Sequence, residues 1–327
     1  MNPATIVKHK LSWDLERFQI GKIIRAVTLP IVGLVLFLGV WHWGAQQVDT
    51  SLGTFPGPQD VYEQWNNLVD EHQAENLRAA AFYERQDARH ERQLAQDPNT
   101  ELRFREYNRR PTFFDQIWTS LGTVMTGFFL ATAIAIPLGI VIGLSNTTYR
   151  ALNPIIQIFK PVSPLAWLPL VTMVVSAVYV TDDPLFAKSF VTSVITVALC
   201  SIWPTMINTA VGTASVNSDL LNVSRVLRLN WLSHVKTIVL PSAIPMMFTG
   251  LRLSLGIAWM VLIAAEMLAQ NPGLGKFVWD EFQNGSSDSL GRICMAVLMI
   301  GFIGFLLDRA LLFLQSWVNW DKSAVVR

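Results

Sequence analysis

The chain has 327 residues, of which 51% are apolar and only 15% charged, against about 25% charged in an ordinary soluble domain. That balance favours a membrane protein over a soluble globular one, and the net charge of +1 conceals strong segregation along the sequence. The two cysteines, Cys200 and Cys294, are too few for a disulfide framework or a zinc site and read as small buried hydrophobes.

Spanning a bilayer core of about 30 Å takes about 20 mostly apolar residues. Six runs qualify, at Ala26–Ala45, Ile117–Gly143, Ile155–Val180, Ala187–Val211, Ala243–Met267 and Ile293–Gln315. Residues 1–25 form a basic leader carrying Lys8, Lys10, Arg17, Lys22 and Arg25. The first run exceeds a signal-peptide core and no A-x-A site follows, so it reads as an uncleaved span.

Residues 46–116 are the one large polar region, with eight arginines, no lysine and thirteen acids. Val61, Trp65 and Leu68 fall at helical spacing, and Asp97-Pro98-Asn99 should break the preceding helix. A helical cap facing an external partner and a solvated hairpin or loop both fit.

Residues 117–315 hold the remaining five spans. Gly139 and Gly143 suit close helix contact, although the general frequency of glycine in membrane helices accounts for them equally. Lys160, Pro161, Pro164 and Pro169 predict a broken third span. Pro204 predicts a break in the fourth, surrounded by Thr205, Asn208 and Thr209. Asp308-Arg309 is expected at the inner end of the last helix. Residues 316–327 are a tail.

Lysine and arginine in the flanks set orientation. The leader shares a side with Arg150, Arg225, Arg228, Lys236, Arg309, Lys322 and Arg327, while the opposite short loops carry Asp182, Asp183, Asp280, Glu281 and Asp288. Both termini are therefore expected in the cytoplasm and residues 46–116 outside it. Lys188 and Arg292 dissent mildly. Trp41, Trp43, Trp118, Trp317 and Trp320 suit interfacial belts, and Trp167 and Trp259 suit packing at depth.

Within the loop 212–240, "NVSRVLRLNWLSHVKTIVLP" (Asn222–Pro241) is short, mixed and basic between two apolar runs. Asn217 or Ser218 can cap a helix near Asp219, placing Leu220, Val223 and Leu227 on one face with Asn222, Arg225 and Arg228 off it. Asn230 can cap a second short helix from Trp231, and Leu240-Pro241 is expected to begin the next span. Such a bent amphipathic pair suits docking into a groove on another protein.

This segment resembles the cytoplasmic "EAA" loop of permease subunits from binding-protein-dependent ABC importers. That pattern reads Glu-Ala-Ala, three residues, Gly, nine residues, Ile, one residue, Leu-Pro. Ile238, Leu240 and Pro241 fall in register, while Asn222, Val223 and Ser224 stand at Glu-Ala-Ala and Arg228 at Gly. "KPVSPLAWLPL" (Lys160–Leu170), "SIWPTMINTAVGTASV" (Ser201–Val216) and "FTGLRLSLGIAWMVLIAAEML" (Phe248–Leu268) are similar to the nitrate, taurine and bicarbonate permease group. "LLNVSRVLRL" (Leu220–Leu229) looks most like its nitrate branch.

The resemblance covers most of Phe113–Leu314 and implies an all-α integral membrane protein with the type I ABC importer permease fold. It also implies a bacterial inner-membrane location and four partners: a second permease subunit, same or homologous, two ATPase subunits and a periplasmic solute-binding protein. The 219–236 helices would be the coupling element, with ATP and Mg on the ATPases. The chain lacks G-x-x-x-x-G-K-[ST]; the nearest stretch, "NPGLGKF" (Asn271–Phe277), has Gln270 where the first glycine belongs. Its five histidines show no metal-ligand spacing. Neither catalysis, a cofactor or metal of its own, nor nucleic-acid binding is expected.

Ionisable groups inside a bilayer are candidates for function. Lys160 and Arg252 lie at matching depths of about 12–14 Å from the cytoplasmic side, and could form a positive station for a small anion or snorkel to headgroups. Glu266, near the outer end of the fifth run, suits an ion pair or gate contact. Thr205 and Asn208 could offer neutral donors or bond neighbouring helices together, and the candidate path comprises Lys160, Trp167, Thr205, Asn208, Arg252, Trp259 and Glu266. Rival readings are an ion-coupled secondary transporter, which needs a coupling-ion site and inverted repeats, and a membrane scaffold. Sulfonate or taurine, bicarbonate and cyanate are alternative solutes.

Overall fold

The computed structural model describes residues 28–50, 53–97, 102–180, 185–286 and 288–318. The basic leader, Pro98 and Asn99, Asp182 and Asp183, and the tail beyond Val318 with Trp320, Lys322 and Arg327 lie outside these residues.

Helix α1 (Thr28–Ala45) enters a short antiparallel ribbon of β1 (Asp49–Thr50) and β2 (Gly53–Thr54). Then come α2 (Pro58–Gln96), α3 (Phe113–Leu144), α4 (Asn146–Phe159), α5 (Pro164–Val178) and α6 (Lys188–Ala214). Helices α7 (Ser218–Val226) and α8 (Trp231–His234) precede a π turn at Val235–Val239, followed by α9 (Leu240–Ala269), α10 (Leu274–Asn284) and α11 (Ser289–Val318). Among the described residues five helices are long and apolar enough to cross a membrane, and the bent pair α4–α5 makes up to six.

The third span is broken as the prolines predict, but its first half begins earlier, at Asn146. Helix α4 meets α5 at 99°. Pro161 has no N–H with which to continue α4, and Ser163 accepts from Leu165 N to start α5 with Pro164 in its first turn.

Helices α3, α6 and α9 form the centre. Lipid is as apolar as a leucine side chain, so helices associate by close packing and interhelical hydrogen bonds. A methyl group on Gly127 would meet Val197 Cγ1 at 2.7 Å, and one on Gly139 would meet the Met206 carbonyl at 2.7 Å. One on Gly143 would collide with Thr213 Oγ1. The glycines of α3 are therefore the seam against α6.

The break expected in the fourth span does not occur: α6 runs unbroken through Pro204. The reason lies on α9. Ser254 Oγ donates to the Ser201 carbonyl at 2.6 Å and accepts from Thr205 N at 3.0 Å and Thr205 Oγ1 at 2.7 Å. It thus bridges the two backbone groups, four apart, that a regular helix would join directly. Gly250, one turn earlier, admits this close approach: a Cβ there would lie 2.9 Å from the Pro204 carbonyl.

Two further corrections concern helix ends. Pro241 does not begin a new span, because α8, the π turn and α9 are one continuous 39-residue helix, Trp231–Ala269. The wider turn, with Leu240 N bonded to the Val235 carbonyl, accommodates the missing proline donor. Asp308-Arg309 does not close the last helix, since α11 continues to Val318.

At the end of the bundle where α3 begins, α2 is held by side chains from several elements. Val61 and Leu68 are buried, Trp65 and His72 pack edge-on against Phe114, and His72 Nδ1 lies 2.7 Å from Thr112 Oγ1. The Arg292 terminal nitrogens donate to both carboxylate oxygens of Glu71 at 2.9 and 2.6 Å. Its Nε lies 2.9 Å from Glu281 Oε1 without hydrogen-bond alignment, an ion pair only. Arg292, which dissented from the charge rule, is thus neutralised by two acids.

Removing the Ser254 hydroxyl should strand Thr205 N and the Ser201 carbonyl, a loss of about 1–3 kcal/mol. Ser254→Ala is therefore expected to lower the thermal midpoint of the purified protein more than Thr205→Val does. Adding Pro204→Ala to Ser254→Ala should restore most of it by letting the helix bond close.

Candidate coupling and translocation site

The loop between α6 and α9 folds into a compact bent pair. Asn217 Oδ1 accepts from Asp219 N at 2.9 Å and caps α7, and Asn230 Oδ1 accepts from Ser233 N at 2.8 Å and caps α8. The two helices are tied by Ser224 Oγ and His234 Nδ1 at 2.8 Å. Between them Arg228 takes the left-handed conformation, φ 47°, a region glycine enters freely and other L-residues enter at a cost.

The pair is anchored from beneath by Ile238, Val239 and Val216, with Leu221 and Leu229 packed against them. Its other surface is apolar and open: Leu220, Val223, Val226, Leu227, Trp231 and Leu232 are all exposed, Val226 by 81%. Asn222, Arg225 and Arg228 are exposed beside them, Leu240 is half-buried and Pro241 exposed. The residues singled out from sequence thus fall on one element. Val226, Trp231, Leu232 and His234 extend it; Val226 follows from helical spacing once Asn217 fixes the register of α7, and Trp231 and Leu232 open the helix capped by Asn230, whereas the Ser224–His234 bond crosses a bend that no spacing rule describes.

The residues named for a path do not converge. Lys160 is exposed at the α4–α5 corner and lines a cleft of about 500 Å³ with Asn153, Gln157 and Met206. Trp167 stacks on Phe159, its Nε1 buried without a hydrogen-bond partner. Thr205 is engaged by Ser254, and Asn208 Nδ2 donates to the Pro204 carbonyl at 2.8 Å. Trp259 is buried and donates from Nε1 to the Ile300 carbonyl at 2.9 Å.

The positive station pairing Lys160 with Arg252 is not what the structure builds. Arg252 Nε donates to Asp308 Oδ1 at 2.9 Å, and its terminal nitrogen lies 2.8 Å from the same oxygen. An internal carboxylate compensates that charge. Sequence reasoning missed the pair because its members are 56 positions apart on different helices.

Glu266 is fully buried and enclosed. Ser120 Oγ lies 2.8 and 2.9 Å from its two oxygens, and Gly275 N donates at 2.9 Å. Leu274 N in turn donates to Ser120 Oγ at 2.9 Å. The N-terminus of α10 thus wraps the carboxylate, as a positive helix end favours. Gly273 is required there: its φ is 157° and any Cβ would overlap the Glu266 carboxylate. The group joins α3, α9 and α10 through neutral donors, and no ion pair to Glu266 is formed among the described residues.

Residues 135–320 match the family of binding-protein-dependent transport system inner membrane components. The chain belongs to that family. It is 40% identical over 203 residues to the nitrate import permease protein NrtB of Synechocystis sp., covering 62% of this chain and 69% of that one. To NrtB of Leptolyngbya laminosa it is 37% identical over 304 residues, 93% of this chain and 92% of that one. The bicarbonate transport system permease protein CmpB of Synechococcus elongatus is 35% identical over 206 residues, 63% and 69% of the two chains. A solved structure of the MetNI methionine ABC transporter, inward-facing, covers 63% of this chain and 96% of its own at 14% identity and a TM-score of 0.55. The fold is that of type I importer permeases.

As an inner-membrane permease component, the chain carries its loop pattern with Arg228 at the glycine position and keeps the left-handed bend nonetheless. Arg228→Gly should therefore stabilise the loop by about 0.5–1 kcal/mol, read as slower amide exchange at Leu227–Asn230. Glu266→Ala leaves two buried donors, Ser120 Oγ and Gly275 N, without an acceptor. It should cost about 2 kcal/mol or more and raise exchange at Leu274–Phe277 while leaving the loop of Asn217–His234 unchanged.

Proposed function

We propose that this chain is the translocating subunit of an ATP-driven importer of nitrate or a related small oxyanion. It pairs with a second permease subunit, same or homologous, and two ATPases, and receives solute from a periplasmic binding protein. Both termini and α7–α8 face the cytoplasm, and α2 and α10 face the periplasm. The observation that carries the reading is the open apolar surface of α7 and α8, tied by Ser224 and His234 and continuous through the π turn with a full-length span. A force applied to that surface moves α9 as a rod. The coupling contact is assigned to Leu220, Val223, Leu227 and their neighbours, with Asn222, Arg225 and Arg228 at its rim.

The identity with NrtB of Leptolyngbya laminosa over 93% of the chain supports nitrate as the solute. Among the residues first considered for the path, Lys160 keeps an exposed charge, and the path is proposed to pass its cleft rather than the occupied Arg252 and Glu266.

Val226 and Leu227 are exposed in the free chain, so an aspartate at either should disturb folding little. Buried unpaired against an ATPase it should be costly. Val226→Asp/Leu227→Asp is expected to cut ATP-dependent uptake of labelled nitrate by reconstituted importer at least ten-fold. Excess unlabelled nitrate should compete better than bicarbonate or taurine. Uptake driven by a proton or sodium gradient without ATPases would overturn the importer, and better competition by bicarbonate or taurine would overturn the choice of nitrate.

A further inference from the structure

Helix α2 lies outside the family-matched region, and half of it has no packing role in the bundle. At 1.5 Å per residue it is about 58 Å long. Beyond Asn76 its hydrogen bonds and ring contacts to other elements are made to the returning segment Leu102–Arg110, leaving a tip of about 30 Å built from α2 and that segment.

The tip is tightly built. Glu75, buried, accepts from Arg110 N and Tyr107 Oη at 3.1 Å each. The Arg110 N–H, then Tyr107 and the nearby Arg78 charge, hold that carboxyl below its ordinary range against the opposing effect of burial. Tyr83 Oη accepts from Tyr107 N at 3.4 Å and His90 Nε2 lies 3.3 Å from the Arg103 carbonyl. With its amide turned to satisfy both groups, Gln86 bonds the backbone N and O of Arg105 at 2.7 and 3.1 Å.

This ladder fixes where the arginines stand. Arg103 and Arg105 stand two apart on the returning segment, and Arg85 and Arg89, four apart on α2, share a helix face. All four line one groove of about 530 Å³ whose lining includes no carboxylate. None of the four forms an ion pair among the described residues. The acids of the same stretch, Glu84, Asp87 and Glu91, fall on another face of α2 by their spacing.

We infer that this groove is a docking site for an acidic surface patch on the periplasmic binding protein, separate from the bundle's own mouth. The inference rests on the importer reading, which puts the tip on the side from which that protein arrives. Four unpaired guanidinium groups exceed what one monovalent oxyanion can neutralise, whereas a row of carboxylates can pair with them bidentately. A bilayer surface is the poorer match: eight arginines against thirteen acids leave residues 46–116 five charges negative, so anionic headgroups repel the region as a whole. A discrete acidic patch reads the groove alone. Such a contact steers encounter and is screened by salt.

The test uses the assembled importer in phosphatidylcholine nanodiscs and a binding protein that stimulates its ATPase in nitrate. Arg85→Glu/Arg89→Glu and, from the opposite wall, Arg103→Glu/Arg105→Glu should each raise the half-saturating binding-protein concentration at least ten-fold and flatten its salt dependence. Maximal ATPase should be unchanged, which shows that the complex is intact. The four Arg→Lys changes together, which keep the charge but lose the forked geometry, should fall between the wild type and the Glu variants. Unchanged half-saturation and salt slope in both Glu variants would overturn the inference while leaving the importer reading standing. So would a defect seen only when phosphatidylglycerol is added, which would mark a headgroup site. A wild-type complex that no binding protein stimulates would overturn both.

Discussion

A backbone polar group inside a bilayer has only protein to bond with, and that constraint shapes the centre of this molecule. Pro204 removes a donor from the middle of α6 and its ring crowds the preceding turn, yet the helix stays whole. Ser254 reaches across from α9 to join Thr205 N to the Ser201 carbonyl. The cost of the proline is thereby turned into a bond between helices. Gly250 on one side of the contact and the α3 glycines on the other face of α6 then let three backbones approach closely. Hydroxyls and missing side chains do here what apolar burial does in a soluble core.

The same economy governs the charges. Arg252 is met by Asp308, and Glu266 by a hydroxyl and the N–H groups opening α10. Each is a fixed joint between helices rather than a free charge awaiting a solute. Both lie on α9, whose helix is continuous from Trp231 to Ala269. One end of that rod carries the exposed bent pair; the other grips α10 through Glu266. In the proposed importer a displacement at one end of this helix would be carried to the other within a single element.

The sequence displays whatever is local. Apolar runs, capping residues Asn217 and Asn230, and the face of Leu220, Val223 and Leu227 all depend on neighbours within a few positions, and all reappear in the structure. The contacts that decide what the buried polar residues do are remote: 49 positions for Thr205 with Ser254, 56 for Arg252 with Asp308 and 146 for Ser120 with Glu266. Periodicity carries no record of them. Proline misled in one consistent way, because at Pro204 and Pro241 the chain absorbs the disruption without breaking, by a hydroxyl that bridges the adjacent helical bond in one case and a π turn in the other. At Pro161 and Pro164 two prolines flank a capping serine, and there the helix does break.

Residues 46–116 obey a different logic. Only the first part of α2 carries the apolar spacing of Val61, Trp65 and Leu68, and only that part is packed on the bundle. Past Asn76 the helix persists without a core, since side chains of α2 bond the backbone of the returning segment in turn: Glu75 to Arg110, Tyr83 to Tyr107, Gln86 to Arg105 and His90 to Arg103. That construction consumes uncharged and acidic side chains for stability and leaves Arg85, Arg89, Arg103 and Arg105 without an ion pair among the described residues. A stretch needing arginine only for solubility would interleave it with acids at ion-pairing distance. Around Arg85 and Arg89 the two signs are sorted onto different faces of α2, and a sorted surface is one that distinguishes among partners.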